Sequence, residues 1–310
     1  MKQKILVLGN ANMEITMNAE RIPDAGESTV DAGGITVNPG GRGSNCAIAM
    51  ARLNAKAVLC AKVGDDGYGK RLARLYTECD MDLSYMQIDR NLRTGVDVTI
   101  NEGDAKARKI YFIGANSNIS AEIMKEAFSC EPEAVLVSTE LSPEAVENAA
   151  RDADFMAATL VLNASPANKD IRLSKISPVE IFVAGAEDIY SYTGILPVGS
   201  ESCLRAALEL QKMIDARYYV IHIGDKGSFV YDGKYYHMIS PYAVKAVDET
   251  GAGDVFVGAL TVEYTRNGKD IIAACKYANA AGALSVLKAG TTPSMPFHAD
   301  VMQFISKYSF

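Results

Sequence analysis

Histidine is scarce in this chain of 310 residues: His222, His237 and His298 are the only three, and they show neither metal-ligand spacing nor clustering. A zinc enzyme is therefore not expected. Cysteine pairs of the CxxC type are missing as well. The six cysteines (Cys46, Cys60, Cys79, Cys130, Cys203 and Cys275) are spread evenly, which suits free thiols in a reducing cytoplasm better than a disulfide framework. No stretch approaches the roughly 18 apolar residues of a membrane span, and the apolar run Ile5–Leu8 is too short for a signal peptide. Long basic runs are absent and the net charge is −7, which argues against nucleic acid or an anionic membrane as the main partner. Internal repeats, low-complexity tracts and Pro/Ser linkers are also missing; 310 residues suffice for one large α/β domain or two small ones with a sizeable core, and residues 1–310 read as a single domain.

What is present is a rhythm of strands and helices. Lys4–Gly9 is a short β run, and a helix is expected over Cys46–Leu53, then a strand over Ala57–Val63 and an amphipathic helix over Tyr68–Cys79. From Ala121 the pattern is regular: a helix to 128, the strand Ala134–Val137, a helix from Pro143, and strands at Thr159–Asn163 and 179–184. A helix at 201–214 and the strand Tyr218–Ile223 follow, and His237–Val247 reads as β-rich. Strands alternating with helices imply a mostly parallel sheet covered on both faces. Two β-only insertions, 15–39 (with Ser28–Val30 and Ile35–Val37 as short strands) and 94–114, interrupt the rhythm. They are expected to pair as a small separate sheet, a lid over a site.

Two glycine turns stand at helix starts. In Asp248-Glu249-Thr250-Gly251-Ala252-Gly253-Asp254, small residues leave backbone N–H groups bare, and the helix behind them adds unpaired donors and the positive end of its dipole. Asp254 sets a carboxylate beside this seat for an anion, the pairing that phosphoryl transfer to a hydroxyl requires. Taken alone, Asp254 reads more readily as a helix cap after a glycine turn. The second turn, Gly40-Gly41-Arg42-Gly43-Ser44-Asn45, is no P-loop, because no Lys-Ser/Thr follows. It is no dinucleotide fingerprint either, because Cys46 stands where a glycine is needed. That failure, with the β-only insertions, disfavours a dinucleotide-dependent dehydrogenase.

The motifs in order are Gly9 with Asn12, the turn at 40–45, Gly114-Ala115-Asn116, Glu140 after a strand, Asn163-Ala164-Ser165-Pro166-Ala167, and the turn at 248–254. In this combination the chain resembles the PfkB (ribokinase-like) family of carbohydrate kinases over essentially its whole length. The resemblance implies a three-layer α/β fold and ATP-dependent phosphorylation of a primary hydroxyl, ribose being the first candidate. It makes Asp254 the catalytic base, with Gly251, Ala252 and Gly253 as the anion hole. Asn12, Glu14, Gly40, Gly41, Arg42, Asn45 and Glu140 fall on sugar-contacting positions. Asp188, His222, Gly224, Gly227, Gly253 and Asn279 fall on nucleotide and magnesium positions. Asp248 and the backbones of Thr250, Ser285, Lys288 and Gly290 fall on a monovalent-cation site, with potassium the expected ion. A homodimer joined through the lid is implied too, and exposed strand edges point the same way.

The chain departs from the family at four places. Glu14 stands for the usual Asp, and one methylene moves the carboxylate by roughly 1 Å; either the backbone adjusts or the sugar differs. Gly185-Ala186-Glu187-Asp188 stands for Asn-x-x-Glu, so Asp188 keeps a shortened carboxylate and Gly185 keeps no side chain. Glu249 replaces a small residue, and Arg42 replaces Lys, which is not its equivalent at a bidentate site. Two other readings stay open: a kinase of the same fold acting on a nucleoside or another sugar, and a non-catalytic sugar or nucleotide sensor.

Overall fold

Strand β1 (Lys4–Leu8) is apolar after its first residue, the pattern of a strand covered on both faces. Ile5 and Val7 enter one core, and Leu6 and Leu8 enter a second. The computed structural model describes residues 2–27, 31–102, 108–176 and 178–308. After β1 come β2 (Asn12–Ala19), β3 (Ala32–Gly40), α1 (Arg42–Arg52), β4 (Lys56–Cys60), β5 (Lys62–Gly64), α2 (Gly67–Glu78) and β6 (Gln87–Asp89). Next are β7 (Gly95–Glu102), β8 (Arg108–Phe112), α3 (Ala121–Ala127), β9 (Ala134–Ser138), α4 (Pro143–Phe155) and β10 (Thr159–Asn163). Then follow β11 (Val179–Gly185), α5 (Ala186–Thr193), α6 (Ser200–Gln211), β12 (Ala216–His222), β13 (Ser228–Tyr231) and β14 (Tyr236–Ile239). Helices α7 (Ala252–Arg266), α8 (Ile271–Ser285), α9 (Thr291–Ser294) and α10 (His298–Tyr308) complete the order.

The main sheet has eight strands in the order β14-β13-β12-β11-β10-β9-β1-β4. It is parallel from β4 to β12, and β13 and β14 add an antiparallel edge. Residues of α1, α7 and α8 line the first core, and residues of α3, α4, α5 and α6 line the second. Three layers result. Chain order runs from β1 outward to β4 on one side and β9 on the other, so β1 marks a topological switch point, where α/β folds open a crevice at the carboxyl ends of their strands. Helices α1 and α7 pack closely because Gly258 has no side chain: a Cβ there would lie 2.9 Å from the Cys46 carbonyl oxygen.

A second sheet, β3-β2-β7-β8, is built from both β insertions and stands apart from the first. Its register sorts the side chains. Rows such as Val37–Ile15–Val98–Ile110 make one face apolar, and Asn38–Glu14–Asp97–Tyr111 and Thr36–Thr16–Thr99–Lys109 make the other polar. Among the described residues, no helix is long and apolar enough to cross a membrane.

Several expectations are corrected. The strand foreseen at Ser28–Val30 lies outside the described residues. Ala57–Val63 is not one strand: β4 joins the main sheet and β5 pairs with β6, the chain changing sheets at Ala61. The helix foreseen from Cys46 begins at Arg42, inside the glycine turn, because Gly41 accepts the φ of 93° that starts it. Of His237–Val247 only the part to Ile239 is strand; β14 is the sheet edge, and Pro241 offers no N–H to extend the ladder. Helix α5 was not foreseen; it is eight residues long, too short for its period to stand out.

Candidate active site

The two glycine turns meet at the carboxyl ends of the main sheet. Gly41 caps α1, and a Cβ there would fall 2.6 Å from the Asn10 carbonyl oxygen, so only glycine lets the turn sit against the end of β1. Gly251 caps α7 with φ 80°, and a Cβ there would lie 2.5 Å from Thr291 Cγ2. Asp254 is thus in the first turn of α7 and is not its cap. Its Oδ2 accepts from Asn45 Nδ2 of α1 at 2.8 Å. Among the described residues, the N–H groups of Gly251, Gly253 and Asp254 have no acceptor, so three donors of one helix start are left for a ligand.

Carboxylates crowd this junction. Asp254 is 7% exposed, and burial raises its pKa against the pull of Arg42 and the Asn45 bond. Burial pushes Glu140 up to about 7; Arg42 opposes this and Asp254 adds to it. Glu140 Oε2 accepts from the Gly43 N–H at 3.3 Å and from the Ser138 hydroxyl at 3.4 Å. Glu14 is raised too, by burial and by Asp97 and Asp254, with Lys109 opposing. Its Oε2 lies 3.5 Å from the Thr291 hydroxyl.

Arg42 stands among these groups. Burial opposes its charge, but Asp254, Asp188 and Glu140 outweigh that and hold the guanidinium protonated. No described residue accepts a hydrogen bond from its side chain, so its five N–H donors face the junction unpaired.

His222, at the end of β12, lies between the two glycines that follow in space. A Cβ on Gly185 would meet its Cε1 at 2.8 Å and one on Gly253 at 3.2 Å, and the ring packs on Phe256 at 5.4 Å between centroids. The missing side chain at Gly185 is therefore matched by an imidazole in the same space. Burial, with Arg42 nearby, lowers the His222 pKa to about 4, so the ring is neutral at physiological pH.

Most of the remaining expected residues fall in two other places. Gly224 starts a 3-10 turn, and a Cβ on Gly227 would lie 2.2 Å from the Ile239 carbonyl, to which Asn279 Nδ2 donates at 3.3 Å; it also donates to Ser240 O at 3.1 Å. Gly227 and Asn279 thus hold the end of β14. Asp248 accepts from the Thr250 N–H at 2.9 Å and the Gly290 N–H at 2.8 Å, tying two loops together beside the α7 turn. The Ser285 hydroxyl turns back to Gly282 O, and Lys288 is exposed, as is Glu249. Asp188 Oδ1 accepts from the Ala167 N–H at 2.8 Å, and its other oxygen is unengaged by described residues.

Among the described residues, no group of three His, Cys, Asp or Glu side chains could hold a metal by itself. One carboxylate with a free oxygen instead suits magnesium held mainly by phosphate oxygens and water.

Three participants were not singled out from sequence. Asn10 Nδ2 donates to Tyr111 Oη at 2.9 Å, latching the lid to the end of β1. Asp97 Oδ2 accepts from Asn12 Nδ2 at 3.1 Å. Asn116, met in sequence only as part of a motif, bridges Ala11 and Asn12. Alternation along 95–100 places Asp97 on one face with Gly95 and Thr99, but its neighbours come from pairing with β2, which no local pattern reveals.

Fold and site together define a kinase that phosphorylates a carbohydrate. The model of the pfkB family carbohydrate kinases matches residues 2–298. The chain belongs to that family, and it is a phosphotransferase acting on an alcohol group. It is 29% identical to the ribokinase of Bacillus subtilis over 98% of this chain and 100% of that one. It is 26% identical to the deoxyribokinase of Salmonella typhi over 97% and 98%. Among solved structures, Arabidopsis thaliana ribokinase complexed with ribose and ATP superposes with a TM-score of 0.88 at 26% identity, over 98% of this chain and 99% of that one.

Proposed function

We propose that this chain transfers the γ-phosphate of ATP to a primary hydroxyl of a pentose, ribose being the first substrate to test, with residues 1–310 acting as one catalytic unit. The observation that carries the reading is the Asn45–Asp254 bond, which joins two glycine-capped helix starts at one point. Phosphoryl transfer needs positioning and charge stabilisation more than covalent chemistry. Asp254, its pKa raised by burial, takes the proton from the attacking hydroxyl, and Asn45 fixes the direction of its lone pairs. The free N–H groups of Gly251, Gly253 and Asp254 receive the charge that builds on the transferring phosphoryl group. Arg42 adds a permanent cation with unpaired donors.

Asn12, Glu14, Gly40, Gly41 and Glu140 surround the sugar, and the polar face of the lid excludes water. His222, Gly224, Gly227 and Asn279 shape the nucleotide end. Magnesium, when bound, neutralises phosphate charge, and Asp188 is the residue that would hold it. Potassium would sit against Asp248 and the backbones of Thr250, Ser285, Lys288 and Gly290, steadying the loop that carries the anion turn.

ADP release from ATP, with magnesium and potassium present, tests this on ribose, deoxyribose, other pentoses, fructose and nucleosides. Turnover of a pentose that vanishes in Asp254→Asn supports the reading. Turnover of a nucleoside alone favours the second reading, for which the longer Glu14 side chain speaks. Silence throughout, with ATP still bound, leaves a sensor.

The outer face of the lid suits a second copy of the chain. Ile35, Ile110 and Phe112 are 63%, 66% and 52% exposed on it, an apolar surface that a two-fold would cover with itself. Light scattering should give a dimer mass that Ile110→Lys lowers to the monomer; a monomeric wild type removes the dimer.

A further inference from the structure

The lid carries a rung of four side chains that the glycine turns do not explain. Register sets Asn38, Glu14, Asp97 and Tyr111 side by side across β3, β2, β7 and β8. Side chains of one rung share a face. Thr291, whose hydroxyl lies 3.5 Å from Glu14 Oε2, packs against Gly251 of the α7 turn, and Tyr111 accepts from Asn10 at the end of β1, so this face is turned toward the active site. Asp97 stands one strand beyond Glu14, about 4.8 Å further across the sheet.

Asp97 is held from behind. Its Oδ2 accepts from Asn12 Nδ2 at 3.1 Å, Asn12 Oδ1 accepts from Asn116 Nδ2 at 2.6 Å, and Asn116 Oδ1 accepts from the Ala11 N–H at 3.0 Å. The small residue at Gly95 makes room for this relay: a Cβ there would fall 2.3 Å from Asn12 Oδ1 and 2.4 Å from Asn116 Nδ2. The other oxygen of Asp97, Oδ1, has no hydrogen-bond partner among the described residues. Lys109, on the neighbouring row, offsets part of the charge of the Glu14–Asp97 pair without bonding to either. An ionised carboxylate only accepts hydrogen bonds. Whatever rests on this rung must therefore bring donors, and must not bring an anion.

We propose that Asp97 is a specificity-determining residue. Its free oxygen, beside Glu14, accepts a hydrogen bond from a sugar hydroxyl other than the one phosphorylated. The enzyme accordingly takes a neutral, fully hydroxylated sugar. It discriminates against the deoxy analogue that lacks this hydroxyl and against sugars bearing phosphate or carboxylate at that end. This rests on the sugar-kinase reading above. A site built to bond a hydroxyl rejects the analogue without it strongly, because a half-buried acceptor is left unpaired. A residue that merely braced Asn12 would use Oδ2 alone and would leave such discrimination untouched.

The test compares wild type, Asp97→Ala and Asp97→Asn in ADP formation. The substrates are the best neutral sugar of the panel, its monodeoxy analogues, and the corresponding sugar phosphate and sugar acid. For the wild type, at least one deoxy analogue should lose about a hundredfold or more in kcat/KM. In Asp97→Ala the same penalty should shrink to less than about tenfold, with the loss on the full sugar falling on its KM and the KM for ATP unchanged. If the alanine variant does not fold, the isosteric Asp97→Asn carries the comparison, and its penalty should also fall at least about tenfold. Equal penalties in wild type and variants overturn the proposal while leaving the kinase reading intact, as does a preference for the sugar phosphate or acid. A wild type that turns over no sugar of any kind overturns both.

Discussion

Asn45 Nδ2 donates to Asp254 Oδ2 at 2.8 Å, so the side chain of one glycine-capped helix orients the carboxylate of the other. Asp254→Asn should lower kcat by about 10²–10⁴-fold, the usual worth of a positioned general base. Asn45→Ala keeps the base but frees its rotamer, and a loss of about 10–100-fold in kcat is expected, in line with misplacement by about 1 Å. Steady-state ADP formation measures both, and nucleotide binding by each variant checks that the fold survives. Equal, small effects would remove Asp254 from the chemistry.

Arg42 presents a planar fork with no protein acceptor among the described residues. Arg42→Lys keeps the charge and loses the fork, so kcat/KM should fall by about tenfold, the cost of roughly one charge-assisted bond. Arg42→Ala should cost substantially more. If lysine performs as well as arginine, only the charge matters at this position.

Gly185 and His222 share one space. Gly185→Asn should be poorly tolerated alone, because its Cβ would lie within 3 Å of the imidazole, far inside normal contact. Adding His222→Ala to Gly185→Asn should restore thermal stability. Single and double variants compared by melting temperature give the coupling; additive effects would show that the two positions are independent.

Glu140 titrates near neutrality. Burial raises it from 4.5 to about 7, so between those pH values the folded state binds a proton more tightly than the unfolded chain. Stability therefore falls as pH rises through this window. Glu14 and Asp254, both raised by burial, act in the same direction. In Glu140→Gln the melting temperature should fall less between pH 5 and pH 7 than in the wild type. Parallel profiles would mean that Glu140 is not protonated in the fold.

Local pattern was enough for the strand–helix alternation, the two glycine turns and the family resemblance. Each depends on residues close in sequence: small residues at helix starts, apolar runs in doubly covered strands, Pro143 at the first position of α4. Asp254 beside bare N–H groups was readable for the same reason. Long-range pairing settled the rest. Which faces of the lid are polar depends on the register of β2 with β7 and β8, and a shift by one residue would turn Asp97 and Glu14 outward. The Asn45–Asp254 bond spans 209 positions, and the imidazole over Gly185 comes from a different strand. A sequence pattern reports what one element prefers; the distance between atoms on different elements is set only when the sheet register and the helix packing close together.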